Sequence, residues 1–261
     1  MPGLEAIDNL DTWPLPGMDE FLASCKTHGV KEINLTGSDT DPLLYRHLPK
    51  LCSFLRQEIP DVVLGIRTNG VLAIARPDLW ALFDKGSISI TTFDQELYVK
   101  TMGSGHPPDL RAILALPGEL SKHLKINVVL CPETLSDGHN SDLVKTLDIL
   151  NSKGIRKVNL REPYGQPHIG DPLEALDYVK TGDRLGMPFY QFGTMDVMYW
   201  DVHYVEVESV NLYANGNVSE TYPVTAGHDP VLGKVVDQSH FNGSGRQFEQ
   251  WRNKRKLLVL A

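Results

Sequence analysis

Between residues 19 and 192 the chain alternates five short apolar runs with amphipathic stretches, and that alternation constrains its fold more than any other feature. The runs are INL (33–35), VVLGI (62–66), SISI (87–90), KINVVL (125–130) and KVNL (157–160). Their length and β-branched content read as buried parallel strands. The intervening segments 19–28, 43–58, 78–84, 109–122, 141–152 and 172–181 carry helical periodicity. Gly29, Gly86 and Gly154 stand where helices should stop, and Asp142 and Asp171 or Pro172 where they should start. Strands separated by helices imply βαβ units, whose right-handed crossovers put all strand C-termini, and hence the chemistry, on one side. The expected fold is α/β: a partial (β/α) barrel of about six parallel strands.

From about residue 186 the texture changes. FYQF, VMYW, HYVEVESVNLYA and NVSETYPV read as antiparallel strands, with Asn215-Gly216 as a hairpin turn between the last two. Beyond them lie a Gly/Ser-rich hinge (242–245) and an expected short helix (246–257). The expected division is a barrel over 1–190, with antiparallel strands and a C-terminal helix over 191–261 packed on it.

Composition narrows the partners. The chain has 261 residues, 41% apolar and 22% charged, which is globular composition. Its net charge of −8 disfavours nucleic acid, and the basic cluster Arg252, Lys254, Arg255 and Lys256 reads as a solvated helix end. No apolar run approaches the roughly 20 residues of a membrane span, and the acidic, Pro-rich start is unlike a signal peptide. Cytoplasmic localisation and no membrane partner are therefore expected. Three scattered cysteines, Cys25, Cys52 and Cys131, form neither a disulfide framework nor a metal-ligand spacing, so no metal-ligating residues are assigned.

Polar residues gather at the expected strand ends. Leu35-Thr36-Gly37-Ser38-Asp39-Thr40-Asp41 supplies small residues that let backbone approach a ligand, with Asp39 or Asp41 able to accept from an ammonium; a plain βα turn reads the same way. Arg67-Thr68-Asn69-Gly70 is a turn. Ser87, Ser89 and Thr91 alternate along one strand face, and Asn127 interrupts an apolar strand, where it needs a partner. Arg161-Glu162-Pro163-Tyr164-Gly165-Gln166-Pro167-His168 is the best local substrate-site candidate, although an Arg–Glu ion pair bracing a loop accounts for it equally. Asp201 and His203, two apart on a strand, form a further pair for a metal, a proton relay or a structural hydrogen bond. Hydrolase-elbow, Walker and dinucleotide-binding motifs are absent.

The order of these pieces is more specific than any of them. LTGSDTDPLL, RTNG, SITTFDQELYVKTMGSG, KINVVL and GIRKVNLREPYG resemble, in sequence, the radical S-adenosylmethionine (SAM) superfamily, nearest the cyclase group of molybdopterin biosynthesis. The resemblance covers about residues 19–165. It implies that Gly37 with Asp39 or Asp41 holds the methionine ammonium of SAM. Thr68 would lie near the methionine moiety, Ser89 would contact SAM, Asn127 would face its ribose, and Glu162 would stand nearer a small-molecule substrate; Glu162 and Arg161 are the expected catalytic residues. The implied function is a radical SAM enzyme core, cleaving SAM to abstract a substrate hydrogen.

Departures are equally specific. The CxxxCxxC motif that holds a [4Fe–4S] cluster is missing, as are the cyclase's C-terminal cluster cysteines. Met1-Pro2 resembles the end of the family's CxYCMP loop at the family's distance from Leu35-Thr36-Gly37. The expectation is thus a chain beginning just after the last cluster cysteine, with a cluster present only if that segment is. Such a sheet would lack its first strand and expose an edge, so homo-oligomerisation through that edge is expected. Two alternatives stand beside the enzyme core: a cluster-less SAM-, nucleotide- or partner-binding scaffold, and a cofactor-independent barrel lyase or isomerase using Arg161, Glu162 and His168. The last lacks a Schiff-base lysine at a strand end.

Overall fold

The structure, a computed structural model, describes residues 7–37, 40–102, 105–162, 169–184, 187–200, 208–221 and 257–260. Its first half is a series of strand–helix units: α1 (Met18–Thr27), β1 (Glu32–Thr36), α2 (Leu48–Glu58), β2 (Val63–Thr68), α3 (Pro77–Trp80), β3 (Lys85–Ile90), α4 (Gln95–Met102), α5 (Leu110–Leu114), α6 (Glu119–Lys122) and β4 (Leu124–Val129). The series continues with α7 (Pro132–Leu135), α8 (Asp142–Ser152), β5 (Lys157–Arg161) and α9 (Pro172–Ala175), then β6 (Lys180–Arg184), β7 (Met187–Phe192), β8 (Met195–Trp200), β9 (Glu208–Leu212), β10 (Val218–Thr221) and β11 (Leu257–Leu260).

The eleven strands of the described residues join one sheet, in the order β10-β9-β11-β1-β2-β3-β4-β5-β8-β7-β6. Each neighbouring pair from β9 through to β8 runs parallel. Antiparallel pairing is confined to β10 on β9 at one end and to β7 and β6 beyond β8 at the other. The parallel part is therefore longer than the six strands expected. The later strands extend it instead of forming an appendage, because β8 and β9 each pair in parallel with another strand of the same sheet. The edge expected to lie open beside β1 is filled by β11, which pairs Glu32 with Leu257 and Leu35 with Leu260. The expected helix 246–257 lies outside the described residues except for Leu257, which is strand.

Alternation along the strands sorts side chains onto two faces. One is aliphatic, carrying Ile33, Leu35, Leu64, Ile66, Ile88, Ile90, Ile126, Val128, Val158 and Leu160, all buried. These join a single core with Phe21, Leu22 and Cys25 of α1, Leu51, Cys52 and Leu55 of α2, and Leu143, Leu147 and Leu150 of α8. The other face is polar, and its residues build the candidate site.

Several helices are shorter than their periodicity suggests. The expected helix 43–58 is a 3-10 turn (Pro42–Leu44) and then α2, whose second residue is Pro49. Pro117 and Gly118, the latter at φ 112°, divide 109–122 into α5 and α6. The expected helix 172–181 ends at Ala175, and Asp177 turns the chain at φ 57° into β6. No helix among the described residues is long and apolar enough to cross a membrane.

Candidate functional site

The polar face is organised by strand register. Thr36, Arg67, Ser87 and Lys125 form one rung across β1, β2, β3 and β4. Ser89, Asn127 and Asn159 form the next, across β3, β4 and β5. Arg161, opposite Val129, closes the face toward the strand C-termini, with its guanidinium carbon 5.6 Å from the ring centroid of Trp200. Asn34, Ser87, Asn127 and Asn159 are buried. A buried carboxamide must be satisfied by hydrogen bonds or it destabilises the fold.

Asn159 meets that requirement once its carboxamide is turned end for end: its Oδ1 then accepts from Lys125 Nζ at 3.1 Å and its Nδ2 donates to the Val158 carbonyl at 3.3 Å. Asn34 donates to Glu32 Oε1 at 3.0 Å, and the other oxygen of Glu32 pairs with Lys85. Asn127 is different. It is 3% exposed, and its Oδ1 accepts no hydrogen bond. A buried acceptor left without a partner is open to a donor brought by a ligand.

Lys125 is the unusual charge of this face. Burial, reinforced by Arg67, Arg161 and Lys85, pushes its ammonium down to about 7, against a smaller opposing effect from Glu32. Taken alone, KINVVL and RTNG do not mark out Lys125 or Arg67. Alternation was the available signal, since Lys125 and Asn127 are two residues apart and so share a face.

The loops expected to hold SAM are knitted partly to one another. Gly37 follows β1 at a tight turn, where a Cβ would collide with the Thr40 carbonyl oxygen. Asp41 caps the 3-10 turn by accepting from Leu43 N at 2.9 Å, and its second oxygen accepts from the Thr68 hydroxyl. Thr68 Oγ1 in turn accepts from Gly70 N at 2.9 Å. Asp41 and Thr68 thus form a buried clamp between two βα loops, so Asp41 is already engaged through both oxygens. Asp39, the other carboxylate considered for the ammonium, lies outside the described residues. Ser89 and Asn127 sit together on the polar face as register partners.

Arg161 and Glu162 diverge. Arg161 belongs to the polar face, whereas Glu162 Oε1 accepts from Tyr199 OH at 2.6 Å and from the amides of Ile169 and Gly170, both at 2.9 Å. Glu162 thereby fastens the returning loop to β8, an anchoring role for which Tyr199 gave no sequence signal. Pro163 through His168 and the pair Asp201 and His203 lie outside the described residues.

The cysteines do not fit a [4Fe–4S] cluster. Cys25 and Cys52 are buried on α1 and α2, and burial pushes both thiols up to about 12, far from the thiolate form that ligates iron. Cys131 precedes α7, and no group of three His, Cys, Asp or Glu side chains among the described residues is placed to hold a metal.

No family model matches the chain, and no curated protein matches it.

Proposed function

We propose that the chain is the nucleotide-binding core of a radical SAM-type protein, holding SAM against the polar face of a partial barrel near the C-terminal ends of β1 to β5. The observation that carries this reading is Asn127, a buried carboxamide with an orphaned oxygen, in register with Ser89. A ribose hydroxyl supplies the donor that Oδ1 lacks, and Ser89 can bond the same ligand. Gly37 lets the first loop turn tightly beside it, and the Asp41–Thr68 clamp fixes two loops as a rigid rim. Hydrogen abstraction would further need a one-electron donor to cleave SAM, and Cys25, Cys52 and Cys131 do not fit the cluster that would supply it. The chain's own residues orient the nucleotide and exclude water around it.

A second reading, a cluster-less binding scaffold, is favoured by one observation: the two buried thiols are held protonated. Both readings require the nucleotide pocket, and both suit a reducing cytoplasm in which the three cysteines stay free.

Calorimetric titration with SAM and S-adenosylhomocysteine tests the pocket. Binding by the wild-type chain is expected, weakened roughly tenfold or more by Asn127→Leu, which cannot bond a ribose. Failure of the wild type to bind either nucleotide overturns the reading.

A further inference from the structure

We propose that Lys125 is a carbonyl-capturing lysine, whose amine condenses with a small uncharged aldehyde to a reversible imine on the polar face of the sheet. This activity goes beyond the nucleotide reading and stands without it. What points to it is the level at which the register sets Lys125 and the neutral company its amine keeps.

Lys125 is the second residue of β4, yet the stagger of the sheet sets it level with strand C-termini. Its rung runs through Ser87 and Arg67 to Thr36, the last residue of β1. The sequence offers no Schiff-base lysine at a strand end, and the register brings one there from the start of another strand. Lys125 is half-buried, so its side chain keeps access to solvent. A lysine drawn into a fold ordinarily pairs with a carboxylate. Among the described residues no carboxylate pairs with Lys125, and its hydrogen bond is to the neutral carboxamide of Asn159, turned as above, at 3.1 Å. Glu32, the carboxylate whose charge reaches it, is paired with Lys85 and bonded by Asn34.

An amine in that setting is held toward its neutral form. Burial is the largest cause, pushing the ammonium down to about 7, with Arg67, Arg161 and Lys85 adding to the effect and Glu32 opposing it. Arg67 and Arg161 have further partners of their own, and neither is required as a free charge. A neutral amine is the nucleophile that attacks a carbonyl carbon, and desolvation is how a lysine acquires that form near pH 7. The nitrogen lone pair forms the N–C bond, the C–O bond of the carbinolamine breaks, and both amine hydrogens leave with the oxygen as water. Nothing is oxidised or reduced, and no third reactant enters. Ser87, buried and directly opposite Lys125 in register, presents a hydroxyl that can donate to the carbonyl oxygen as it departs.

The test uses the full chain with no nucleotide present, so that its outcome is independent of SAM binding. Acetaldehyde and cyanoborohydride are added at about pH 7, and the reduced adducts are located by peptide mass spectrometry. At that pH an ordinary lysine, with a value of about 10.4, offers roughly one free amine in 2,500. The chain's α-amine, at about 8, is partly free and serves as the internal reference. Adducts are expected at the α-amine and at Lys125, with Lys125 roughly tenfold or more ahead of every other lysine. Lys125→Met should carry the α-amine adduct alone. The rate at Lys125 should level off above about pH 7, while those of the other lysines climb toward about pH 10. Should Lys125→Met fail to fold, the wild-type map and its pH profile decide by themselves. An unmodified Lys125 beside a modified α-amine, adducts spread evenly over the lysines, or a Lys125 rate that climbs with the rest each overturns the proposal.

Discussion

Tyr199 donates its phenolic hydroxyl to Glu162 Oε1 at 2.6 Å, joining the side chain of one parallel strand to the carboxylate that follows its neighbour. Because the same oxygen accepts from the amides of Ile169 and Gly170, the pair decides where the chain re-enters after β5. Removing the donor leaves a buried carboxylate short of one bond. Tyr199→Phe is expected to lower stability in urea denaturation by about 1–3 kcal/mol, and Glu162→Ala by more, since it abandons a hydroxyl and two amides. Equal stability of Tyr199→Phe and wild type would remove Glu162 from its anchoring role.

Asp41 and Thr68 form the corresponding clamp between the first two βα loops. Thr68→Val keeps the shape and deletes the donor, and should cost about 1–2 kcal/mol in the same measurement. Thr68→Ser should restore most of that loss. If serine fares no better than valine, the hydroxyl bond contributes nothing and the threonine is held by packing alone.

Lys125 sets a pH dependence whose direction is fixed by its lowered proton affinity. Unfolded, the group keeps an ordinary lysine value of about 10.4, so between about 7 and 10.4 the unfolded chain binds a proton that the native chain does not. Its contribution is therefore destabilising in full below about 7 and is relieved progressively as pH rises through that window. The gain in stability of Lys125→Met over wild type should be largest near pH 6.5 and shrink toward pH 9.5. A gain that is flat or grows with pH contradicts the assignment.

Thiol chemistry separates the three cysteines. Cys25 and Cys52, buried and with proton affinities pushed up to about 12, should resist an aromatic disulfide reagent in the native state, while half-buried Cys131 reacts. One fast thiol per chain is expected, with the other two appearing only on denaturation. Fast reaction of all three would undo the conclusion that this cysteine set cannot serve as cluster ligands.

The parallel half of the fold was legible because each strand advertises itself locally. INL, SISI and KVNL fall within β1, β3 and β5, VVLGI and KINVVL overlap β2 and β4, and Gly216 at φ 84° makes the β9–β10 turn that Asn215-Gly216 announced. Strand partnership across long sequence separation was not legible. Nothing in VMYW distinguishes a strand that pairs in parallel with β5, and nothing in LLVL announces pairing with β1. The same limit governs the site. Asn127 could be singled out as a polar interruption, but the meaning of Lys125 required the positions of Arg67 and Arg161, which only the assembled register supplies. Sequence shows the acids Asp41 and Glu162 but not that the hydroxyls of Thr68 and Tyr199 bond them.

The decisive measurement is NMR of the chain labelled on asparagine side-chain amides, recorded while S-adenosylhomocysteine is added. The account predicts saturable shifts of Asn127 first and Asn159 with it, while Asn151, bonded at the end of α8 to Thr194, stays still. An unchanged Asn127 at nucleotide saturation, or movement confined to Asn151 and the helical side, would contradict it.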